Sequence, residues 1–169
     1  WLASRGARVG VEVGVYRGEF SEVLCREIPG LRLTCVDRWA PYVGGEGKTI
    51  YRSAVPAYDE AKARLAPYDC TFVRKASIEA AGGWPDGSLD FVYIDADHRY
   101  AAVVADIEAW APKVKPGGVV AGHDYEFGPP NPHNAVQVAV QGWTLAYGIA
   151  PWFVLSHPDE PATWLWVKP

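Results

Sequence analysis

The sequence contains no methionine, no cluster of lysine and arginine residues, and no apolar run of membrane-spanning length. Its 169 residues have a formal net charge of −4, which argues against a nucleic-acid partner held by a broad basic face. A membrane-spanning helix needs about 20 consecutive apolar residues, and the apolar runs here have the length of strands. The chain does not open with the basic and apolar segments of a secretion signal. We therefore expect a cytoplasmic protein with neither a nucleic-acid nor a membrane partner.

Cysteine is also scarce, and the cysteines form no C-x-x-C pair that would indicate zinc. The three that occur, Cys25, Cys35 and Cys70, lie in apolar runs far apart in the sequence, so we expect buried, reduced thiols. Because the chain lacks methionine and starts at Trp1, we expect a fragment of a longer protein. Such a fragment would lack an N-terminal segment that caps the functional site.

Short apolar runs alternate with segments of helical spacing, the pattern of a parallel sheet with helices on both faces. The five predicted strands are residues 7–13, 31–37, 70–75, 89–95 and 117–124. The three clearest helices are residues 18–28, 58–65 and 100–110. A further helix is expected in the second half of residues 129–148, and residues 152–167 read as an antiparallel hairpin. The fold class is therefore α/β, with a doubly wound, mostly parallel sheet in one domain spanning residues 1–169.

The loop after the first strand has the pattern E-x-G-x-x-x-G, from Glu12 to Gly18. In the dinucleotide fingerprint G-x-G-x-x-G, glycines let a pyrophosphate approach the backbone. A carboxylate in the first of those positions would repel a pyrophosphate by about 1 kcal/mol even in water. Asp37, at the end of the second strand, is well placed to accept hydrogen bonds from a ribose. This combination favours a ligand with a ribose and a positive charge but no phosphate, as in S-adenosylmethionine.

A second group of polar residues follows the fourth and fifth predicted strands. The carboxyl ends of neighbouring parallel strands meet at one edge of the sheet. We therefore expect one neighbourhood for five side chains: Asp95, Asp97, His98, His123 and Asp124. So many ionisable groups would be stabilised by a cation among them. Oxygen ligands favour Mg²⁺ or Mn²⁺, whereas an imidazole ligand shifts the preference toward Mn²⁺, Fe²⁺ or Zn²⁺.

Four stretches in this order resemble class I S-adenosylmethionine-dependent methyltransferases: the Glu12–Gly18 loop, Asp37, DFVYIDADH and KPGGVVAGHDY. The resemblance is greatest to the metal-dependent O-methyltransferases that act on macrolide sugars and related small molecules. It implies a Rossmann-like, seven-stranded sheet ending in the antiparallel hairpin. The implied activity is methylation of a small-molecule hydroxyl, with S-adenosylmethionine as the methyl donor.

The resemblance also implies roles for individual residues. Those implied to bind the cofactor are Glu12, Gly14, Tyr16, Gly18, Ser21, Asp37, Arg38, Trp39, Ser77 and Asp95. Within this set, the first five would lie along the methionine half and Asp37 would hold the ribose. Arg38 or Trp39 would flank the adenine, and Ser77 would lie beside it. Simple turn formation by the glycines and helix capping by Ser77 are the structural alternatives.

The resemblance further implies a divalent metal, Mg²⁺ or Mn²⁺, bound by Asp95, His123 and Asp124. His123 departs from the related enzymes, which have a second acid at that position. His98, three residues after Asp95, corresponds to a histidine proposed as the base in those enzymes. An ordinary imidazole has a pKa of about 6.5, so its unprotonated form is available as a base at neutral pH.

Two other functions are compatible with parts of the pattern. A nicotinamide-dependent dehydrogenase would share the sheet and the ribose-binding acid, although Glu12 and Arg17 disfavour it. A metal-dependent hydrolase would use Asp95, His98, His123 and Asp124 without a nucleotide. For a methyltransferase we expect a small-molecule acceptor bound by residues 41–53 and 125–134, where aromatic residues such as Tyr125 occur. A homo-oligomer is compatible with the eight tryptophans.

Overall fold

The structure is a computed structural model that describes residues 1–40, 42–43, 49–50, 54–126, 134–157 and 160–169. Its seven-stranded sheet confirms the predicted α/β fold class. The sheet strands are β1 (Val9–Val13), β2 (Arg32–Asp37), β5 (Cys70–Arg74), β6 (Leu89–Ile94), β7 (Val114–Tyr125), β8 (Trp152–His157) and β9 (Glu160–Val167). A two-residue pair, β3 (Tyr42–Val43) and β4 (Thr49–Ile50), forms a separate hairpin.

The sheet order is β5-β2-β1-β6-β7-β9-β8. The first five strands in this order are parallel, and β9 and β8 are antiparallel additions at the β7 side. The C-terminal hairpin is therefore confirmed. The chain leaves β1 to one side to form β2 and later crosses to the other side to form β6. This reversal lies between β1 and β6, where ligands bind in open α/β sheets.

Within the described ranges, five helices cover the two faces of the sheet: α1 (Glu19–Glu27), α2 (Ala54–Leu65), α3 (Ser77–Ala81), α4 (Tyr100–Trp110) and α5 (Val136–Ala146). On one face α1 and α2 pack through residues such as Leu24, Ala61 and Leu65. On the other face α3, α4 and α5 pack through residues such as Ile107, Trp110 and Val140. The two cores explain why the parallel strands are continuous apolar runs, since they are buried on both faces.

The three cysteines, distant in sequence, converge beside α1. The sulfur atoms of Cys25 and Cys70 are 3.5 Å apart, and the sulfur of Cys35 lies 3.7 Å from the hydroxyl oxygen of Ser21. All three are free thiols, and Cys70 is only half-buried because it lies on the edge strand β5. Across the described ranges, no helix combines the length and hydropathy needed to cross a membrane.

Candidate active site

The carboxyl ends of β1, β2, β5 and β6 surround a cavity of about 450 Å³. This volume is within the range of small-molecule and cofactor sites. Helices α3 and α4 form its other wall. The cavity is lined by Val13, Gly14, Val36, Asp37, Arg38, Ala40, Lys75, Ala76, Ser77, Ile78, Ala96, Asp97, Arg99, Ala102, Ala105 and Asp106. Gly14, Asp37, Arg38 and Ser77 are the sequence-predicted cofactor residues among them.

The carboxylate of Asp37 fixes the loop that follows β1. Its Oδ2 accepts the backbone N–H groups of Val15 at 3.0 Å and Tyr16 at 2.9 Å, and its Oδ1 accepts that of Trp39 at 2.8 Å. A carboxylate offers about four acceptor positions, so these bonds leave it capacity for a ligand hydroxyl. Asp37 therefore has a structural role beside the ribose-binding role that its position predicts.

Gly14 is required because the loop passes against the end of β6. Its φ is +90°, and a Cβ built there would lie 2.0 Å from the carbonyl oxygen of Asp95. No side chain fits that space, and L-residues disfavour that φ. The loop therefore leaves bare backbone on the cavity wall.

Glu12 and Ser21 do not line the cavity, contrary to their predicted place along the cofactor. Both side chains are buried beneath the loop, where the Ser21 hydroxyl donates a short hydrogen bond to Glu12. Burial raises the pKa of Glu12 to about 8, although the Ser21 hydrogen bond opposes the shift. Because Glu12 points inward from β1 to the α1 side, it supports the loop from below.

Gly18 and Trp39 also differ from their predicted roles. Gly18 precedes α1 with a φ of +76°, and a Cβ there would lie 3.2 Å from Leu65 Cδ1, so it permits close packing of α1 on α2. The Trp39 indole is 1% exposed and packs against Tyr58, while its N–H donates to the carbonyl of Tyr16 at 2.7 Å. The structure therefore contradicts the placement of Trp39 against adenine, whereas Arg38 faces the cavity.

Ser77 lines the cavity as the first residue of α3, with Ala76 at the cap position. It is therefore not the helix cap. Its hydroxyl oxygen accepts the indole N–H of Trp110 at 2.9 Å, which fixes the orientation of the side chain across the α3–α4 junction.

Beside the cavity, the ends of β6 and β7 bring Asp95, His98, His123 and Asp124 together. His98 Nε2 lies 2.9 Å from Asp124 Oδ2 and 3.5 Å from Asp95 Oδ1. His123 Nδ1 lies 3.4 Å from Asp124 Oδ2 and 4.0 Å from Asp95 Oδ2. The potential ligand atoms of Asp95, His98 and Asp124 all lie within 4.8 Å of one another. This donor set of two carboxylates and an imidazole fits a divalent cation, and it includes His98 where the sequence predicted His123.

The two carboxylates change the protonation of His98. Hydrogen bonds to Asp124 and Asp95 raise its pKa to about 10 against the opposing effect of burial. In Asp124, hydrogen bonds from His123 and His98 outweigh burial and hold the pKa well below its usual range. The carboxylates thus favour the protonated imidazole, whereas an ordinary histidine, as assumed from the sequence, is mostly neutral at pH 7.

Backbone strain also marks this edge of the sheet. In the described part of the chain, the non-glycine residues with positive φ are Tyr16 at 51°, Trp39 at 39° and Asp124 at 56°. Tyr16 and Trp39 follow the carboxyl ends of β1 and β2. Asp124 lies near the end of β7, in an irregularity of the β7–β9 pairing. Strained residues of this kind cluster at functional sites.

Sequence reasoning assigned no role to three charged residues of the cavity: Lys75, Arg99 and Asp106. It placed Asp97 only in the acid–histidine group, whereas Asp97 lies on the cavity wall and forms an ion pair with Arg99. A signal for Asp106 does exist in the sequence. The buried side of α4 consists of Val103, Asp106, Ile107 and Trp110, so one acid interrupts an apolar stripe at helical spacing.

The predicted acceptor-binding segments, residues 41–53 and 125–134, lie mostly outside the described residues. Tyr125 is described and is a core residue, not an acceptor-binding one. It is 3% exposed, packs against Trp152, and its hydroxyl accepts a hydrogen bond from Gln141 at 2.9 Å.

The close approach at Gly14 generates a stability prediction. Gly14→Ala should lower the free energy of unfolding by at least about 3 kcal/mol, because the new Cβ meets the Asp95 carbonyl and φ is positive. Gly117→Ala is the matched control, since Gly117 has a φ of +76° but nothing within 4 Å of a built Cβ. It should lose only about 1–2 kcal/mol. Urea unfolding measures both, and equal losses would contradict the close approach.

Comparison with known proteins agrees with this geometry. Residues 11–125 match the family described as "Methyltransferase domain". An uncharacterized protein of Sinorhizobium fredii, y4gI, is 34% identical over 134 residues, which cover 75% of this chain and 14% of that protein. The chain thus spans about a seventh of the length of this relative.

Two solved structures show the fold. The cofactor-bound protein Rv0187 from MTB superposes with a TM-score of 0.70 at 18% identity, covering 99% of this chain and 76% of that one. The second is the O-methyltransferase TomG from Streptomyces achromogenes, which is involved in tomaymycin synthesis and was solved with S-adenosylmethionine. It superposes with a TM-score of 0.69 at 18% identity, covering 99% of this chain and 76% of that one. Membership of a methyltransferase family favours that function over the dehydrogenase and hydrolase alternatives. The chain belongs to the methyltransferase domain family and has the Rossmann-like fold of class I S-adenosylmethionine-dependent methyltransferases.

Proposed function

We propose that the chain binds S-adenosylmethionine in the cavity and transfers its methyl group to a hydroxyl oxygen of a small molecule. One observation supports this above all. Gly14 lies between Asp37 on one side and Asp95, with its histidine partners, on the other. Three features therefore lie in order along one edge of the sheet: an acid suited to a ribose, a stretch of bare backbone, and a cluster suited to proton transfer. The named activity of TomG supports transfer to oxygen.

The residues of the cavity fit the parts of this cofactor. Asp37 retains acceptor capacity for a ribose hydroxyl, and Ala76, Ser77 and Ile78 form a wall for the base. Gly14 leaves room for the methionine half to pass toward Asp95. Carboxylates on this path would attract the ammonium and the sulfonium, whereas they would repel a pyrophosphate. When bound, the cofactor supplies an electrophilic methyl group on a positively charged sulfur.

The acid–histidine cluster fits a divalent metal. We infer that Asp95 and Asp124 would hold it with His123 as the nitrogen ligand, since His123 Nδ1 lies beside both carboxylates. Mg²⁺ or Mn²⁺ are the ions expected from the carboxylates. A metal there supplies a Lewis acid that lowers the pKa of an acceptor hydroxyl. The chain itself arranges two carboxylates around one position, and hydrogen bonds from His123 and His98 hold the pKa of Asp124 well below its usual range.

Methyl transfer to a hydroxyl also requires a proton acceptor. We infer that His98 is this base, with Nε2 as the accepting atom. Asp124 and Asp95 orient this nitrogen at 2.9 Å and 3.5 Å and raise the pKa of the imidazole, which makes its neutral form a stronger proton acceptor.

Calorimetric titration with S-adenosylhomocysteine tests the cofactor assignment. We expect a Kd of about micromolar or tighter, and Asp37→Ala should weaken it at least about tenfold because the ribose loses its acceptor and the loop loses its three hydrogen bonds. Asp69→Ala is the matched control, since Asp69 is an exposed acid immediately before β5, at the opposite edge of the sheet. Absence of binding by the unmodified chain would overturn the proposed function.

The metal assignment is tested by Mn²⁺ binding, followed as loss of the free-ion electron paramagnetic resonance signal. Asp124→Asn should weaken Mn²⁺ binding at least about tenfold, because it removes one charged ligand of the cluster. Asp86→Asn removes an exposed acid that pairs with Lys113 on the surface and should leave binding unchanged. Equal binding by both variants would exclude the cluster as the metal site.

The base assignment is tested by His98→Ala in an assay of S-adenosylhomocysteine production with a hydroxylated acceptor. Turnover should fall about 10²–10⁴-fold, the usual contribution of a general base. Affinity for S-adenosylhomocysteine should be retained, because His98 does not line the cofactor cavity. Full turnover in this variant would assign proton transfer to another group.

A further inference from the structure

Asp106 is a buried acid that lines the cavity and has no part in the chemistry described above. It is 5% exposed and lies on the buried stripe of α4 between Val103 and Trp110. A carboxylate among apolar neighbours is costly unless hydrogen-bond donors satisfy it. The Asp106 carboxylate therefore needs hydrogen-bond donors, and a ligand in the cavity that it lines could supply one.

The protein itself supplies one donor and orients it. The indole N–H of Trp110 donates to Ser77 Oγ at 2.9 Å, and the Ser77 hydroxyl hydrogen-bonds to Asp106. Burial raises the pKa of Asp106 to about 6, while the Ser77 hydrogen bond opposes the shift. The carboxylate form therefore prevails at about pH 8. Since a carboxylate accepts about four hydrogen bonds, Asp106 has acceptor capacity beyond the bond from Ser77.

The location of Asp106 in the cavity identifies the part of the ligand it faces. Asp37 is at the end of β2, whereas Ser77 and Asp106 lie where α3 meets α4. Small apolar side chains line the cavity beside this junction, among them Ala76, Ala102 and Ala105. A flat heteroaromatic base attached to a ribose on Asp37 suits this apolar region. Adenine carries one exocyclic amine, which offers two N–H donors.

We propose that Asp106 accepts a hydrogen bond from the 6-amino group of the adenine and so selects an adenine nucleoside at this site. The proposal rests on the proposed binding of S-adenosylmethionine. A base with a 6-oxo group would present an acceptor to the carboxylate and be repelled. A base without any 6-substituent would leave the buried carboxylate short of a donor, the situation in which binding sites discriminate most strongly.

The test compares two ligands by calorimetry at about pH 8, where the Asp106 carboxyl is ionised. One is S-adenosylhomocysteine, and the other is its purine analogue with hydrogen in place of the 6-amino group. The unmodified chain should prefer the amino compound by about 10–100-fold. In Asp106→Ala the preference should fall to within about threefold. Once the acceptor carboxylate is gone, removing the 6-amino group from the ligand no longer breaks a hydrogen bond.

Two further variants separate ligand recognition from a structural tie between α3 and α4. Asp106→Leu keeps roughly the size of the side chain and removes both acceptor oxygens. It answers the question if the alanine variant does not fold, and it should also reduce the preference. Glu108→Gln removes an exposed acid from the same helix and should retain the full preference. A structural tie alone would weaken both ligands equally and leave their ratio unchanged.

The outcomes distinguish this inference from the proposed function. If the unmodified chain binds neither compound, the proposed function fails. If it binds both equally, or if folded Asp106 variants keep the full preference, the role of Asp106 is overturned while cofactor binding stands.

Discussion

The three hydrogen bonds that Asp37 accepts from backbone N–H groups are the interaction on which the site depends. They join the loop after β1 to the end of β2 and so determine where the bare backbone at Gly14 passes the end of β6. That passage in turn separates the cavity from the acid–histidine cluster. A single buried carboxylate therefore sets the spacing between the region suited to a nucleoside and the region suited to proton transfer.

The strands and the main helices could be predicted from the sequence because burial on both faces gives parallel strands continuous apolar runs. The position of Asp37, Asp95 and Asp124 at one edge followed from the same rule, since parallel strands end together. The short helix α3 was not predicted, because a single helical turn has too little periodicity to detect. Ser77, which was predicted to lie beside the adenine, lines the cavity.

Side-chain direction was less predictable, because packing decides it. Glu12 and Gly14 are two residues apart, yet only Gly14 reaches the cavity, since Glu12 turns toward Ser21 beneath the loop. Trp39 follows Asp37 closely, but a φ of 39° turns its ring into the core. The pKa of His98 could not be derived from the sequence, because it depends on two carboxylates from different strands. Asp106 was detectable in principle as one acid on an apolar helical stripe.

The central claim is that one edge of the sheet holds an S-adenosylmethionine-type ligand between Asp37 and the acid–histidine cluster. A crystal structure of the chain grown with S-adenosylhomocysteine tests it most directly. The account predicts ribose hydroxyls within hydrogen-bonding distance of Asp37, the purine ring between Arg38 and Ser77, and the homocysteine sulfur beside Gly14 on the Asp95 side. A ligand bound elsewhere, or one whose ribose lies away from Asp37, would contradict the account.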